Sequence, residues 1–258
     1  MSNVFKNLYQ YRELLKTSVK KDIRGKYKNS FLGVIWSFLN PLLQIAVYAI
    51  IFPIILKNNE PNYVIFLCTG LIPWAFFSTA LNRSSSIIVE NGNIIKKVYF
   101  PREILPISLV TSEAVNFIIS TIIILGFVLF GGLGLTKYLI FYPIILLAQY
   151  ITVLAISFIL SSITVFLRDI QHFVGIFLQL MFYATPIVYN SKSIPKNFEW
   201  VLKYNPMSYI INAYRDIFYY QTRPDIKSIV ILSGIMLGVT VVGYIIFNKL
   251  QKGFAEEL

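Results

Sequence analysis

Side chains able to make or break bonds are scarce in this 258-residue chain, while those able to recognise a ligand are grouped. It has one histidine, His172, and one cysteine, Cys68. Neither His-Glu-x-x-His nor Gly-x-x-x-x-Gly-Lys-[Ser/Thr] occurs, and the glycine-rich run Gly131 to Lys137 has the wrong spacing for a phosphate loop. The usual zinc hydrolases and a built-in nucleotide hydrolase are thereby excluded, and neither catalytic nor metal-ligating residues are expected. Hydrogen-bonding groups do recur. Trp36, Asn40, Gln44 and Tyr48 fall at every fourth residue of Phe31 to Leu56, a stretch without a charged side chain, and on a helix they stack on one face. Lipid disfavours Asn and Gln near mid-membrane. The stripe therefore either walls a pathway or bonds neighbouring helices, with Pro41 producing a kink. A second group lies between Phe173 and Asn190: Gln179 and Tyr183 are one turn apart, as are Phe182 and Pro186, and Tyr189 follows. Aromatics mixed with amides suit sugar rings, whose C–H faces pack on aromatic rings while their hydroxyls need donors and acceptors. An aromatic belt at the membrane interface equally accounts for Tyr183 and Tyr189.

The elements that must position these residues are membrane spans. Hydrophobic residues make up 56% of the chain, charged residues only 14%, and the mean hydropathy is +0.66, the composition of an integral membrane protein. The gaps between charges leave six uncharged windows, 29 to 56, 61 to 82, 114 to 136, 138 to 167, 170 to 191 and 228 to 248, each able to hold one helix of about 20 residues. The windows are continuously apolar rather than alternating, which excludes barrel strands. The fold class expected is an all-α integral membrane protein of six transmembrane helices. Residues 1–28 form a cytoplasmic amphipathic interface helix, 29–248 the membrane domain with an outer loop at 191–227, and 249–258 a cytoplasmic tail.

A net charge of +11 would suggest nucleic acid for a soluble protein, but here its placement sets topology. With an even number of spans, 15 of the 23 Lys and Arg fall on the side of the termini and eight on the other. The positive-inside rule then puts both termini in the cytoplasm, and no nucleic-acid partner is expected. A removable signal peptide is not expected, because the N-terminal segment is highly charged and no short apolar core with a cleavage site follows.

Along Val4 to Tyr27, Leu8, Tyr11, Leu15, Val19, Ile23 and Tyr27 share a stripe among basic residues, the pattern of a helix lying on the inner leaflet. There it either anchors to anionic lipid or captures an anionic head group through Arg24, Lys26 and Lys28. Gly70 and Pro73 predict a bend or break in the second span. Arg83 to Arg102 reads as a connection between spans, with Ile95, Val98 and Phe100 exposed beside Lys96, Lys97 and Arg102, a mixture that docks on a partner or the membrane surface. Glu113 precedes the third window as either a hydrated end residue or a functional carboxylate. Arg168 and Asp169 form a charge pair at the cytoplasmic mouth, followed by His172. In the outer loop, Asn197 to Tyr204 and Met207 to Tyr220 read as two short helices half inserted at the interface.

The run Lys26-Tyr27-Lys28-Asn29-Ser30-Phe31-Leu32-Gly33-Val34-Ile35-Trp36-Ser37-Phe38-Leu39-Asn40-Pro41-Leu42 resembles the start of the first span in ABC-2 type permeases that export bacterial polysaccharides. Thr69-Gly70-Leu71-Ile72-Pro73-Trp74, Ile94-Ile95-Lys96-Lys97, Phe100-Pro101-Arg102, Phe166-Leu167-Arg168-Asp169, Thr185-Pro186-Ile187-Val188-Tyr189, Tyr204-Asn205-Pro206 and Phe254-Ala255-Glu256 are similar too, in the family's order across nearly the whole chain. The resemblance implies a homodimer paired with two copies of a separate ABC ATP-binding subunit, which holds the ATP and Mg; no cofactor is expected in this chain. It implies export of an undecaprenyl-diphosphate-linked polysaccharide across the bacterial inner membrane. The terminal pattern is nearest O-antigen permeases, with teichoic acid or capsule export as the alternative. It also implies a channel lined by the first and fifth spans, and an ATPase contact near Lys96, Lys97 and Arg102. An ABC-2 exporter of drugs or small lipids is the rival within the transporters, and a passive channel or membrane scaffold the rival from another class.

Overall fold

The computed structural model describes residue 7 and residues 9–25, 35–56 and 60–258. Regular structure among them is entirely helical: α1 (Arg12–Gly25), α2 (Trp36–Leu56), α3 (Tyr63–Glu90), α4 (Gly92–Lys97), α5 (Ile104–Phe130), α6 (Tyr142–Ile163), α7 (Ile170–Ala184), α8 (Glu199–Tyr204), α9 (Pro206–Phe218), α10 (Ile226–Leu250) and α11 (Phe254–Glu257), with short 3-10 turns between some of them. Four helical stretches among the described residues are long and apolar enough to cross a bilayer: Tyr63–Lys97, Ile104–Phe130, Lys137–Ile163 and Ile226–Glu257. Phe38–Ile54 and Ile170–Ala184 are shorter apolar helices.

The bundle is built around α3, which packs against α2, α5, α6, α7 and α9. Its middle is buried on every side, with Phe66, Leu67, Cys68 and Ala80 fully inaccessible. A helix apolar all round needs such a position. The break expected at Gly70 and Pro73 is absent, since α3 runs unbroken for 28 residues. Neighbours satisfy the polar backbone there: Gln149 on α6 donates to the Pro73 carbonyl at 2.8 Å. The helix also continues past Arg83, so only residues after Glu90 form the connection to α5. Helix α10 lies along α6, and a Cβ at Gly243 would stand 3.0 Å from the Ala155 carbonyl, so the missing side chain permits the close approach.

The fifth window departs furthest from expectation. Helix α7 has 15 residues, about 22 Å of rise against a hydrocarbon core of about 30 Å. Pro186 disfavours helical dihedrals at the residue before it, and Thr185 is extended at φ −104°, ψ 137°. The following Thr185 to Val188 is buried and non-helical. The outer-loop helices also differ from each other. Helix α8 has no buried residue, but α9 enters the bundle with Met207, Ile210, Ile211, Tyr214, Arg215, Ile217 and Phe218 buried, rather than lying half inserted. What holds it there is Arg215, whose guanidinium finds the Pro186 and Ile187 carbonyls inside the bundle.

Both described terminal regions meet at one end of the bundle. Asn7 Nδ2 donates to Glu103 Oε1 at 3.0 Å, Arg102 donates to the Gln251 carbonyl, and Phe254 is fully buried against Phe247 and Phe166. At the opposite end Asn190 Nδ2 donates to Glu60 Oε1 at 2.8 Å, and Gln221 donates to the carbonyls of Leu133 and Gly134. The described residues nearest the two termini therefore lie at the same end of the bundle.

Candidate functional site

The polar stripe of α2 opens on a cleft. Trp36, Asn40 and Gln44 face Thr79 on α3 and Glu113, Asn116 and Ser120 on α5 across a cavity of about 240 Å³. The helical repeat that aligned the stripe also aligns Glu113, Asn116 and Ser120, three and four residues apart on α5. Tyr48, one turn further along, leaves the cleft and packs its ring on Phe52 and on Phe182 of α7, with centroids 5.4 and 5.8 Å apart. None of Asn40, Gln44, Thr79 and Ser120 makes a side-chain hydrogen bond to another described residue.

The residues of α7 divide between two faces. Val174, Leu178 and Phe182 are buried against the bundle, Phe182 with its ring edge on Trp74. Gln179 and Tyr183 point outward together with Phe173, Ile176 and Leu180. They do not share a cavity with the α2 stripe within one chain. Tyr189 is half-buried and its hydroxyl donates to the Tyr183 carbonyl at 2.8 Å.

Beneath the cleft sits an ion cluster that charge spacing had hidden. Arg83 on α3 binds both carboxylate oxygens of Asp22 on α1 and donates to Glu113 Oε1 on α5 at 2.5 Å. Ser112 donates to Asp22 as well, and Asn116 Nδ2 reaches Glu113 Oε2 at 3.4 Å. Glu113 is thus neither hydrated nor at a helix end: it is 3% exposed, and its partner Arg83 lies inside a helix. The arrangement pins the amphipathic helix α1 to the membrane bundle at its one acidic position on the inner face.

Among the described residues the most buried charge is Arg215, 1% exposed on α9. Its guanidinium donates to the Pro186 and Ile187 carbonyls at 2.5 Å each and lies 3.6 Å from the Phe66 ring centroid. Those carbonyls are available because the chain leaves the helix at Thr185. Asn205 Nδ2 binds Thr185 Oγ1 at 2.8 Å and Tyr63 donates to the Val188 carbonyl at 2.7 Å, so side chains replace the missing helix bonds of the turn. Gly70 makes room, since a Cβ there would lie 3.0 Å from the Ile187 oxygen and 3.1 Å from the guanidinium. One sequence signal did exist: Met207, Ile211, Arg215 and Phe218 follow helical spacing, which puts the arginine at the edge of the apolar face of α9, beside Ser208.

At the end that carries the termini, Lys96 and Lys97 are exposed in the last turn of α4. Ile95 between them and the bundle is buried, Phe100 is half-buried, and Val98 and Tyr99 are exposed, Tyr99 at 95%. Arg102 is drawn in, binding the Gln251 carbonyl with its guanidinium 5.8 Å from the Phe254 ring. Arg168, Asp169 and His172 are exposed around the start of α7. Arg24 is exposed at the rim of a 390 Å³ crevice under α1, whereas Lys26 and Lys28 lie outside the described residues. Among the described residues no cluster of three His, Cys, Asp or Glu side chains could hold a metal.

Known proteins share this chain's sequence over most of its length. The model of the ABC-2 type transporter family matches residues 13–219. An O-antigen export system permease protein RfbA from Klebsiella pneumoniae is 39% identical over 254 residues, 98% of this chain and 97% of that one. A protein of the same name from Myxococcus xanthus is 34% identical over the full length of both. The polysialic acid transport protein KpsM from Escherichia coli is 24% identical over 76% of this chain and 77% of its own. A helical bundle with long apolar helices, a family match over most of its residues and end-to-end relatives make this chain a member of the ABC-2 type transporter family.

Proposed function

We propose that this chain is the permease subunit of an ATP-driven exporter that carries an undecaprenyl-diphosphate-linked polysaccharide, of the O-antigen class, across the bacterial inner membrane. The observation that carries the reading is end-to-end similarity to O-antigen export permeases, at 34 to 39% identity. In this reading the chain crosses six times with both termini in the cytoplasm, as the distribution of Lys and Arg favours. It works as a homodimer with two copies of a separate ATP-binding subunit, because it has no phosphate loop of its own. ATP and Mg belong to that subunit.

Within one chain the stripe of α2 and the outward face of α7 open in different directions, so a channel that uses Asn40, Gln44, Gln179 and Tyr183 together needs the second copy. Lys96 and Lys97, exposed beside Tyr99, offer the ATPase a contact. Arg24, Lys26 and Lys28 meet the lipid head group, and Arg168 and Asp169 flank the cytoplasmic mouth. The test is reconstitution of the chain with its separate ATP-binding subunit, in vesicles loaded with lipid-linked polymer. ATP-dependent appearance of polymer on the other side is expected. Transport without the ATPase, or of small lipids in place of polymer, refutes the proposal.

A further inference from the structure

We infer that the crevice between α1 and α5 is a binding site for an anionic phospholipid of the leaflet on the side of the termini, with Lys20 and Arg24 at its head group and its acyl chains on the face of α5 that begins at Thr111. The inference goes beyond the export reading and needs neither the ATPase nor the polymer. The crevice measures about 390 Å³, inside the range of about 300–1,000 Å³ that ligand sites occupy.

Helical spacing builds its edge. Leu15, Val19 and Ile23 recur every fourth residue, and Lys16, Lys20 and Arg24 do so one position on, so α1 carries an apolar row beside a basic row, and both rows line the crevice. The apolar row is half-buried against the bundle, whereas the basic row is exposed at the rim. Lys16 bonds Glu13 at 2.9 Å, an exposed pair that contributes little, so Lys20 and Arg24 are the principal cations. They stand about 6 Å apart along the helix, within reach of one phosphate.

The lining beneath suits hydrocarbon. From α5 it receives Thr111, whose hydroxyl is already used: it donates to the Ile107 carbonyl at 2.7 Å and meets the Tyr150 hydroxyl of α6 at 2.9 Å. A soluble anion would meet cations only at the rim and apolar side chains below them, whereas a phospholipid matches both. Ile118 and Ile122 follow Thr111 by two and three helical turns, so they share its face, and both are exposed. From Thr111 to Ile122 the helix rises about 16 Å, close to half of a hydrocarbon core of about 30 Å. Because α5 begins at the end that carries the termini, this strip runs from the rim toward mid-membrane, the depth of one leaflet. The chains of a phospholipid end there, and a much longer polyprenyl chain overruns it.

The experiment titrates phosphatidylglycerol onto the purified full-length protein in detergent and counts bound lipid by native mass spectrometry. Lys20→Gln and Arg24→Gln should each weaken the tightest-bound phosphatidylglycerol about fivefold, the effect of one basic residue beside anionic lipid. Lys21→Gln removes the same charge from the side of α1 that lines a different cavity, with Tyr11 and Leu14, and should leave the affinity unchanged. Val19→Phe fills the crevice at constant charge and should weaken binding as well. Phosphatidylcholine should bind more weakly and be indifferent to Lys20→Gln. Equal losses in Lys20→Gln and Lys21→Gln reduce the effect to diffuse surface charge, displacement by inorganic phosphate makes the site one for a plain anion, and tighter binding of undecaprenyl diphosphate makes it an entry for the polymer's anchor. Each of these overturns the assignment, as does equal binding of phosphatidylcholine. Failure of ATP-driven export removes the function proposed above and leaves the lipid site standing.

Discussion

Replacing Arg215 tests whether the buried turn after α7 is held by one side chain. Its two carbonyl bonds are charge-assisted and measure 2.5 Å, and such bonds contribute about 1.5–3 kcal/mol each. A desolvated cation over an aromatic ring adds about 2 kcal/mol, and the Phe66 centroid is 3.6 Å away. Against this stands the cost of burying a guanidinium, which Arg215→Met removes. Methionine, however, leaves the Pro186 and Ile187 carbonyls without donors, at about 1–3 kcal/mol each. The net loss should be about 3 kcal/mol, or a fall of about 6–12 °C in thermal midpoint for a domain of this size. Arg215→Lys keeps the charge but not the planar fork that spans both carbonyls while stacking on the ring, so its loss should be intermediate. The assay is thermal unfolding in detergent, followed by the fluorescence of Trp74, which packs against Phe182 at the end of α7. If Arg215→Met and Arg215→Lys both melt with the wild type, the turn is held by packing alone and the reasoning fails.

Four further outcomes are expected. Gly70→Ala puts a Cβ 3.0 Å from the Ile187 oxygen and 3.1 Å from the Arg215 guanidinium, and should cost about 1–3 kcal/mol in the same melt, the usual penalty of overpacking. Arg83→Met takes the guanidinium from both Glu113 and Asp22, so it should destabilise by about 3–5 kcal/mol and speed proteolysis within α1; Arg83→Met with unchanged α1 protection would separate the helix from the ion cluster. The Asp216 carboxyl is pushed up to about 6 by burial and by Asp225, so the folded state holds its proton where the unfolded chain has lost it. Ionised Asp216 therefore costs stability above about pH 6, and Asp216→Asn should melt higher than wild type at neutral pH, the gap closing as pH falls toward 4; a gap that widens on acidification contradicts the sign. Reversing Lys96 and Lys97 to Glu should weaken co-purification with the ATP-binding subunit while leaving the melt unchanged, because both side chains are exposed; unaltered co-purification would remove them from that contact.

Local sequence was enough for what depends on local sequence. Uncharged windows announce helices in lipid because a backbone without water must bond to itself, and a helix does so within one segment. The spacing of Trp36, Asn40 and Gln44 likewise put them on one face, and they do line one cleft. The block of motifs from Thr69 to Glu256 pointed to the family that the comparisons show. Charges misled where they were used as membrane boundaries. Arg83 and Glu113 each stood at the edge of an apolar window, yet they lie inside helices, since each can neutralise the other. That possibility depends on Asp22, Arg83 and Glu113 meeting, across 61 and 30 residues of chain, and no period in the sequence encodes it.

The same holds at the far end. The uncharged fifth window suggests one helix running through Pro186, and nothing local shows where the carbonyls freed beyond Ala184 find donors. Helix α9 has the aromatic and apolar composition of an interfacial helix, and composition cannot tell a membrane surface from the interior of a bundle. Tertiary structure decided it, because a broken helix in lipid needs donors from elsewhere in the chain, and only α9 inside the bundle brings Arg215 within 2.5 Å of them.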